Sequence, residues 1–156
     1  MGATRCLTRE LQSTIEIASR PEAVWEILMD FSQYPAWNPM ICAAELAPGR
    51  APEPGVELRI SIALGLGPTV KGVPTRLVRV SPARELCWVG GLRGVFRGQH
   101  YFRLERLEDG TTRLVHGERF SGALVPMVVG LSRPVLTRSY ARLNEALKRR
   151  CEGRAR

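Results

Sequence analysis

The sequence of 156 residues is 44% hydrophobic and 24% charged, a composition typical of one folded globular domain and not of a disordered chain. It contains no apolar run long enough to cross a membrane, and residues 1–12 lack the apolar segment of a signal peptide, so we expect a cytoplasmic protein. The net charge of +8 comes mainly from arginines spread along the chain. No aromatic-basic interleaving or nucleic-acid-binding motif accompanies it, so nucleic acid is not an expected partner.

A strand and a helix are the first predicted elements. Ile15 and Ile17 alternate with polar or small neighbours, which is the pattern of a half-buried strand. Ser19 is a suitable N-cap and Pro21 suits the first helical turn, so a helix is predicted to begin here. One side of that helix is apolar, formed by Val24, Trp25, Ile27 and Leu28. The helix is expected to close at residues 30–31.

The aromatic corner that follows carries a resemblance to a known superfamily. Residues 21–39, PEAVWEILMDFSQYPAWNP, resemble the opening of the polyketide cyclase/dehydrase-like branch of the START-like, or SRPBCC, superfamily. The resemblance extends over about residues 10–151, which is the expected core of a single domain covering residues 1–156. It implies a helix-grip (START-like or Bet v 1-like) fold with a ligand cavity. It does not imply one activity, because the superfamily includes aromatases, cyclases, lipid carriers and hormone receptors.

Six further strands are predicted by alternating or continuous apolar runs. Their ranges are 41–46, 56–62, 73–80, 85–89, 97–107 and 111–120. Proline and glycine separate several of them, in a loop at 47–55, a turn at 65–68 and a flexible loop at 90–94. Glu108-Asp109-Gly110 is a hairpin signal between the last two strands.

A long helix is predicted from Val125 to a stop near Gly153. Pro134 either begins its straight part or kinks it. The order of elements predicts an α+β fold in which a curved antiparallel sheet of about seven strands surrounds the C-terminal helix. Two short helices follow the first strand in this arrangement.

The last hairpin contains the most interesting polar side chains. A three-residue turn with a glycine bulge at 108–110 would place His100 opposite Glu118 and Phe102 opposite His116, on the face predicted to point inward. A histidine–carboxylate pair in an apolar cavity can act as an acid/base device. It can equally be a buried polar pair, or orient a polar group of a ligand. Both interpretations stay open at this point.

The aromatic corner contains the second pair of candidates. The resemblance implies that the corner borders the mouth of the cavity, where Trp37 would line the wall and Asn38 would supply a hydrogen bond. The alternative is that Trp37 only packs against Tyr34. Trp88 is expected in the core. The full set of predicted ligand-binding residues is Trp37, Asn38, His100, Phe102, His116, Glu118, Phe120, Leu136 and Tyr140.

No metal or cofactor site is expected. The four cysteines, Cys6, Cys42, Cys87 and Cys151, form no C-x-x-C pair, and reduced thiols are the simplest interpretation. With two histidines in the chain, a histidine-rich metal site is excluded. The sequence also lacks the glycine-rich dinucleotide signature and the G-x-S-x-G motif of serine hydrolases.

These observations lead to a hypothesis of ligand binding. The domain is predicted to hold a small hydrophobic molecule, such as a lipid or a polyketide-like aromatic compound, between the sheet and the C-terminal helix. One alternative is a cofactor-independent cyclase or aromatase in which His100 and Glu118 transfer protons. Another is a protein-interaction module without a ligand. Peripheral membrane contact through the C-terminal arginines is a weaker variant, and both monomer and dimer are compatible with the sequence.

Overall fold

The computed structural model describes residues 8–65 and 67–153. The strands are β1 (Thr8–Ile17), β2 (Ile41–Leu46), β3 (Glu57–Ile62), β4 (Val70–Ser81), β5 (Glu85–Leu92), β6 (Phe96–Arg106) and β7 (Thr112–Ser121). The helices are α1 (Pro21–Met29), α2 (Tyr34–Trp37) and α3 (Val125–Gly153), with a 3₁₀ turn at Phe31–Gln33. Cys6, Arg154 and Arg156, on which two of the expectations above depend, lie outside the described residues.

The seven strands form one curved antiparallel sheet in the order β1-β7-β6-β5-β4-β3-β2. Helix α3 packs against β1 and β7, and also against α1 and α2. The core between sheet and helix is aliphatic and aromatic, and its fully buried members include Leu58, Leu77, Leu86, Phe102, Leu114 and Leu143. This architecture confirms the predicted α+β fold, including the two short helices after the first strand.

The register of the last hairpin is also as predicted. The amide of Leu107 donates to the carbonyl of Thr111 at 2.9 Å, and Gly110 adopts a φ of 82°, as a glycine bulge requires. His100 therefore pairs with Glu118, and Phe102 pairs with His116. The turn chemistry determines which side chains face each other across β6 and β7.

Two local predictions are wrong. Helix α1 is preceded by Arg20 as N-cap, without a side-chain capping bond, so Ser19 does not cap it. Residues 90–94 are not a flexible loop, because β5 continues to Leu92 and a tight turn leads directly into β6. Gly91 makes this possible: its φ of 90° suits glycine, and a Cβ there would overlap the carbonyl of Phe96.

Helix α3 is continuous from Val125 to Gly153 and contains Pro134 in its interior. Whether this proline begins the straight part of the helix or kinks it stays a prediction. Pro134 has no N–H to donate to the carbonyl of Gly130. Both residues are exposed, so water can satisfy that carbonyl. Within the described part of the chain, none of the helices combines the length and apolarity needed to span a membrane.

Candidate functional site

A cavity of about 200 Å³ lies between the inner face of the sheet and the corner that precedes β2. Its wall is formed by Met40, Ile41, Ile60, Ile62, Val73, Thr75, Trp88, Gly90, Gly91, Phe96, Gly98, His100 and Glu118. Most of this surface is apolar, and His100 and Glu118 are its ionisable groups. The strand pairing explains why both are present, since they face each other across β6 and β7.

Aromatic stacking holds the imidazole of His100 in place. Trp88 on β5 pairs directly with His100 on β6, and their rings stack with centroids 4.9 Å apart and planes 4° from parallel. One strand further, Phe102 stacks on His116 at 4.6 Å. One face of each imidazole is thus covered by a stacked aromatic ring, and the ring nitrogens interact at the edges.

Three hydrogen bonds and one ion-pair contact at these edges form a chain that leads from α3 to the cavity. Asn144 Oδ1 lies 2.8 Å from His116 Nδ1, and His116 Nε2 lies 2.9 Å from His100 Nε2. His100 Nδ1 is 3.6 Å from Glu118 Oε2. The hydroxyl of Tyr140 donates to the same Glu118 oxygen at 2.7 Å. We call Asn144, His116, His100, Glu118 and Tyr140 the polar relay.

The amide of Asn144 sets the direction of hydrogen bonding in the polar relay. When its Oδ1 accepts from His116 Nδ1–H, His116 Nε2 accepts from His100, and neutral His100 presents a bare Nδ1 to Glu118. When the amide is turned by 180°, its Nδ2 donates to His116 and His100 Nδ1–H points at Glu118. His100 can thus present either a hydrogen-bond acceptor or a hydrogen-bond donor on the side of Glu118 and the cavity. The second orientation is favoured, because it turns an N–H of His100, and not a bare nitrogen, toward the carboxyl group of Glu118.

Burial determines the charge state of two relay members. Desolvation holds the pKa of His116 well below its usual value, and the neighbouring His100 lowers it further. His116 is therefore neutral at physiological pH. Desolvation, followed by the charge of Glu118, raises the pKa of Tyr140, so its hydroxyl stays protonated and remains a donor.

The aromatic corner supports the cavity from outside. Asn38 Oδ1 accepts hydrogen bonds from the amides of Met40 and Ile41, at 3.0 and 2.8 Å, and both of these residues line the cavity. Trp37 packs edge-on against Tyr34 with ring centroids 5.2 Å apart. Asn38 thus positions two wall residues through their backbone, although neither it nor Trp37 belongs to the wall itself.

The nine predicted site residues separate into three groups. His100 and Glu118 line the cavity, while His116 and Tyr140 are linked to them by hydrogen bonds. The others lie outside the cavity wall: Phe102, Phe120 and Leu136 in the core, and Trp37 and Asn38 at the corner. Ligand binding by each of these residues stays a prediction.

Three residues that sequence reasoning did not select contribute to the site. Trp88 was expected to be only a core residue, but it lines the cavity and stacks on His100. Gly98 leaves space for the carboxylate of Glu118. Asn144 lies in the middle of α3, where its position on the apolar stripe is the one sequence signal that could have identified it.

A larger depression of about 450 Å³ lies on the outer face of the sheet. It is an open groove bordered by Glu57, Arg76, Arg93 and Arg97. We place the candidate site in the smaller inner cavity, because enclosure and an apolar wall strengthen both ligand burial and the polar contacts inside it. Among the described residues, no group of three or more histidine, cysteine or acidic side chains could hold a metal ion.

Comparisons with known proteins agree with this geometry. The sequence pattern of the family described as polyketide cyclase/dehydrase and lipid transport matches residues 8–152. No curated protein sequence matches the chain significantly.

Solved structures with the same fold cover nearly the whole chain. An aromatase/cyclase from Streptomyces sp. R1128 is 18% identical with a TM-score of 0.65, over 92% of this chain and 96% of that one. A START superfamily protein from Mycobacterium smegmatis is 23% identical with a TM-score of 0.68, over 92% and 97%. Norcoclaurine synthase from Thalictrum flavum is 12% identical with a TM-score of 0.72, over 99% and 100%. Likeness at these identities concerns the fold.

Proposed function

The chain belongs to the polyketide cyclase/dehydrase and lipid transport family, and from that premise we propose that it binds one small, largely apolar molecule in the inner cavity. The observation that carries the proposal is an apolar wall interrupted by His100 and Glu118. A ligand with an apolar body and one hydroxyl or carbonyl group satisfies both kinds of surface.

The volume of the cavity limits the size of the ligand. A cavity of about 150 Å³ can hold a benzene ring. The 200 Å³ cavity therefore suits a molecule of one or two fused rings, and it is too small for a lipid with long acyl chains. Removing such a ring system from water supplies the driving force, at about 25 cal/mol per Å² of apolar surface before the costs of association.

The polar relay supports recognition of a single polar group. His100 and Glu118 lie at the cavity wall, and the relay behind them can present a donor or an acceptor. An apolar isostere would leave these groups without a partner, at a cost of about 1–3 kcal/mol. Selectivity between a hydroxyl and a methyl group is therefore the expected signature of this site.

We expect 2-naphthol to bind about tenfold or more tightly than 2-methylnaphthalene, which has nearly the same shape, because only the hydroxyl can bond to the relay. Isothermal titration calorimetry on the purified protein measures both dissociation constants. His100→Phe keeps an aromatic ring against Trp88 and removes the polar edge, so this variant should bind the two compounds almost equally. Equal affinities in the unmodified protein, or binding of neither compound, would contradict the proposal.

Acid/base catalysis is a second candidate, which the proximity of His100 to Glu118 in an apolar cavity favours. In an aldol cyclisation, the carboxylate would remove a proton from carbon, and the imidazolium would protonate the carbonyl oxygen that is attacked. Loss of water from the resulting alcohol completes the reaction. Neither step needs a cofactor.

Heptane-2,6-dione tests this candidate, because its intramolecular aldol condensation gives 3-methylcyclohex-2-enone and water. We expect the protein to accelerate the reaction, and His100→Gln to reduce the rate by about 10²-fold or more while ligand affinity changes little. The absorbance of the conjugated enone follows the product. If the unmodified protein and the variant give the same rate as buffer, the catalytic candidate is wrong, while the binding proposal is unaffected.

A further inference from the structure

Exposed aliphatic side chains are concentrated at one end of the molecule. The large hydrophobic residues that the described structure exposes are Val70, Val78, Leu92, Val95, Leu124, Met127 and Leu131. All of them except Val78 belong to the β3–β4 and β5–β6 hairpin ends, to the first turns of α3 or to the residue directly before that helix. We call these six residues the mouth surface. Leu131 and Leu92 are 81% and 71% exposed, so neither side chain is part of the core.

The topology brings these segments together beside the cavity. The amides of Ala123 and Leu124 donate to the carbonyls of Gly94 and Val95, each at 3.0 Å, so the start of α3 is joined to the β5–β6 turn. Val70 pairs with Ile62, which lines the cavity. The mouth surface therefore lies at the same end of the sheet as the cavity residues Ile62, Gly91 and Phe96.

The three segments that contribute the mouth surface carry charges of one sign. Residues 62–73, 90–98 and 121–142 contain no aspartate or glutamate. The cations of these segments are Lys71, Arg93, Arg97, Arg133, Arg138 and Arg142. Within residues 8–65 and 67–153, none of the six forms an ion pair, whereas Arg103, Arg113 and Arg119 on the outer face of the sheet are all paired with glutamates.

We propose that the mouth surface docks on an anionic lipid bilayer. Aliphatic side chains that project between unpaired arginines fit an interface in which acyl chains lie just below negative headgroups. A second copy of the chain does not fit, because two such surfaces would bring the cations of these segments together. Docking in this orientation places the cavity against the membrane, so that an apolar ligand passes between bilayer and cavity without crossing water.

Vesicle flotation tests the proposal with the full chain. The probes are vesicles of phosphatidylcholine alone and of phosphatidylcholine with about 30% phosphatidylglycerol. We expect binding to the anionic vesicles only, and we expect it to weaken strongly when the salt concentration rises from about 0.1 M to about 0.5 M. Met127→Gln/Leu131→Gln should reduce affinity about tenfold or more, since two exposed apolar side chains of a helix are made polar without loss of helix propensity.

Matched variants separate docking by this surface from general attraction to negative charge. Val70→Thr should weaken binding and Val78→Thr should not, although both are exposed valines of β4. Arg93→Gln should weaken binding about fivefold, while Arg84→Gln, at the β4–β5 turn of the opposite end, should leave it unchanged. Equal losses within either pair would overturn the proposal, and so would the absence of binding to anionic vesicles at low salt.

Sedimentation velocity of the same variants tests whether a second copy of the chain, and not a membrane, covers the mouth surface. If Met127→Gln/Leu131→Gln abolished a dimer of the unmodified protein and left vesicle binding intact, the mouth surface would be a self-association surface and the membrane proposal would be wrong. An unchanged monomer, together with weaker vesicle binding, supports it. Neither outcome depends on whether the cavity binds 2-naphthol, so this proposal and the proposed function can fail separately.

Discussion

Gly98→Ala is expected to lower the free energy of unfolding by about 1–3 kcal/mol and to weaken binding of 2-naphthol tenfold or more. A Cβ at this position would overlap Glu118 Oε1, so the carboxylate has to move. Its movement leaves the buried hydroxyl of Tyr140 without an acceptor and separates Glu118 from His100. Urea denaturation measures the stability, and calorimetry measures the affinity.

Two further variants show whether Gly98→Ala acts through the polar relay. Gly130→Ala is the matched control, because its Cβ would meet nothing within 4 Å, and in a helix the change should raise stability by about 0.5–1 kcal/mol. In a Tyr140→Phe background, the stability loss caused by Gly98→Ala should shrink, since the hydrogen bond to Glu118 is already absent. An undiminished loss in that background would show that backbone strain is responsible.

Acidification is expected to destabilise the protein through His116. The folded state holds the pKa of this imidazole well below its ordinary value of 6.5, because burial penalises the charged form. As the pH falls, His116 therefore binds a proton in the unfolded chain before it does so in the folded state. Stability is unaffected above the unfolded pKa and falls as the pH drops below it, by up to about 1.4 kcal/mol per pH unit until the folded pKa is reached.

Urea unfolding of the unmodified protein and of His116→Gln between about pH 7.5 and pH 5 measures this contribution. The variant loses stability at neutral pH, because the contact with Asn144 and the stack on Phe102 are disturbed. It has no imidazole at this position, so its stability lacks the pH dependence that His116 contributes. We therefore expect the stability difference between the two proteins to narrow as the pH falls. Parallel profiles across this range would show that His116 does not carry the pH dependence.

The similarity to solved structures concerns the fold, so the chemistry of this chain has to be inferred from its own site residues. The compared structures include an aromatase/cyclase and norcoclaurine synthase, but their identities of 18% and 12% concern the backbone arrangement. Hypotheses about what this chain binds are tested at Trp88, Gly98 and the polar relay. Substitutions at these positions are accordingly more informative than comparison with any one neighbour.

The sequence by itself determined the order of elements and the pairing of the last hairpin. Alternating apolar residues define strand faces, and the turn at Glu108-Asp109-Gly110 sets the register within residues 96–121. That is why His100 could be predicted opposite Glu118, and the strand pairing confirms it. The aromatic corner likewise carried enough local pattern to identify the superfamily, which the family match at residues 8–152 confirms.

Only the tertiary structure decided which residues complete the site. Tyr140 and Asn144 reach Glu118 and His116 because of the depth and rotation at which α3 packs across the sheet, and its apolar stripe restricts that rotation only to within a residue or so. Trp88 lines the cavity because it lies on the inner face of β5, directly beside His100 on β6. The six aliphatic residues of the mouth surface come from three separate segments. Local patterns report contacts between neighbours in sequence, whereas a cavity and its rim depend on long-range packing, which is the sum of many weak contacts among distant elements.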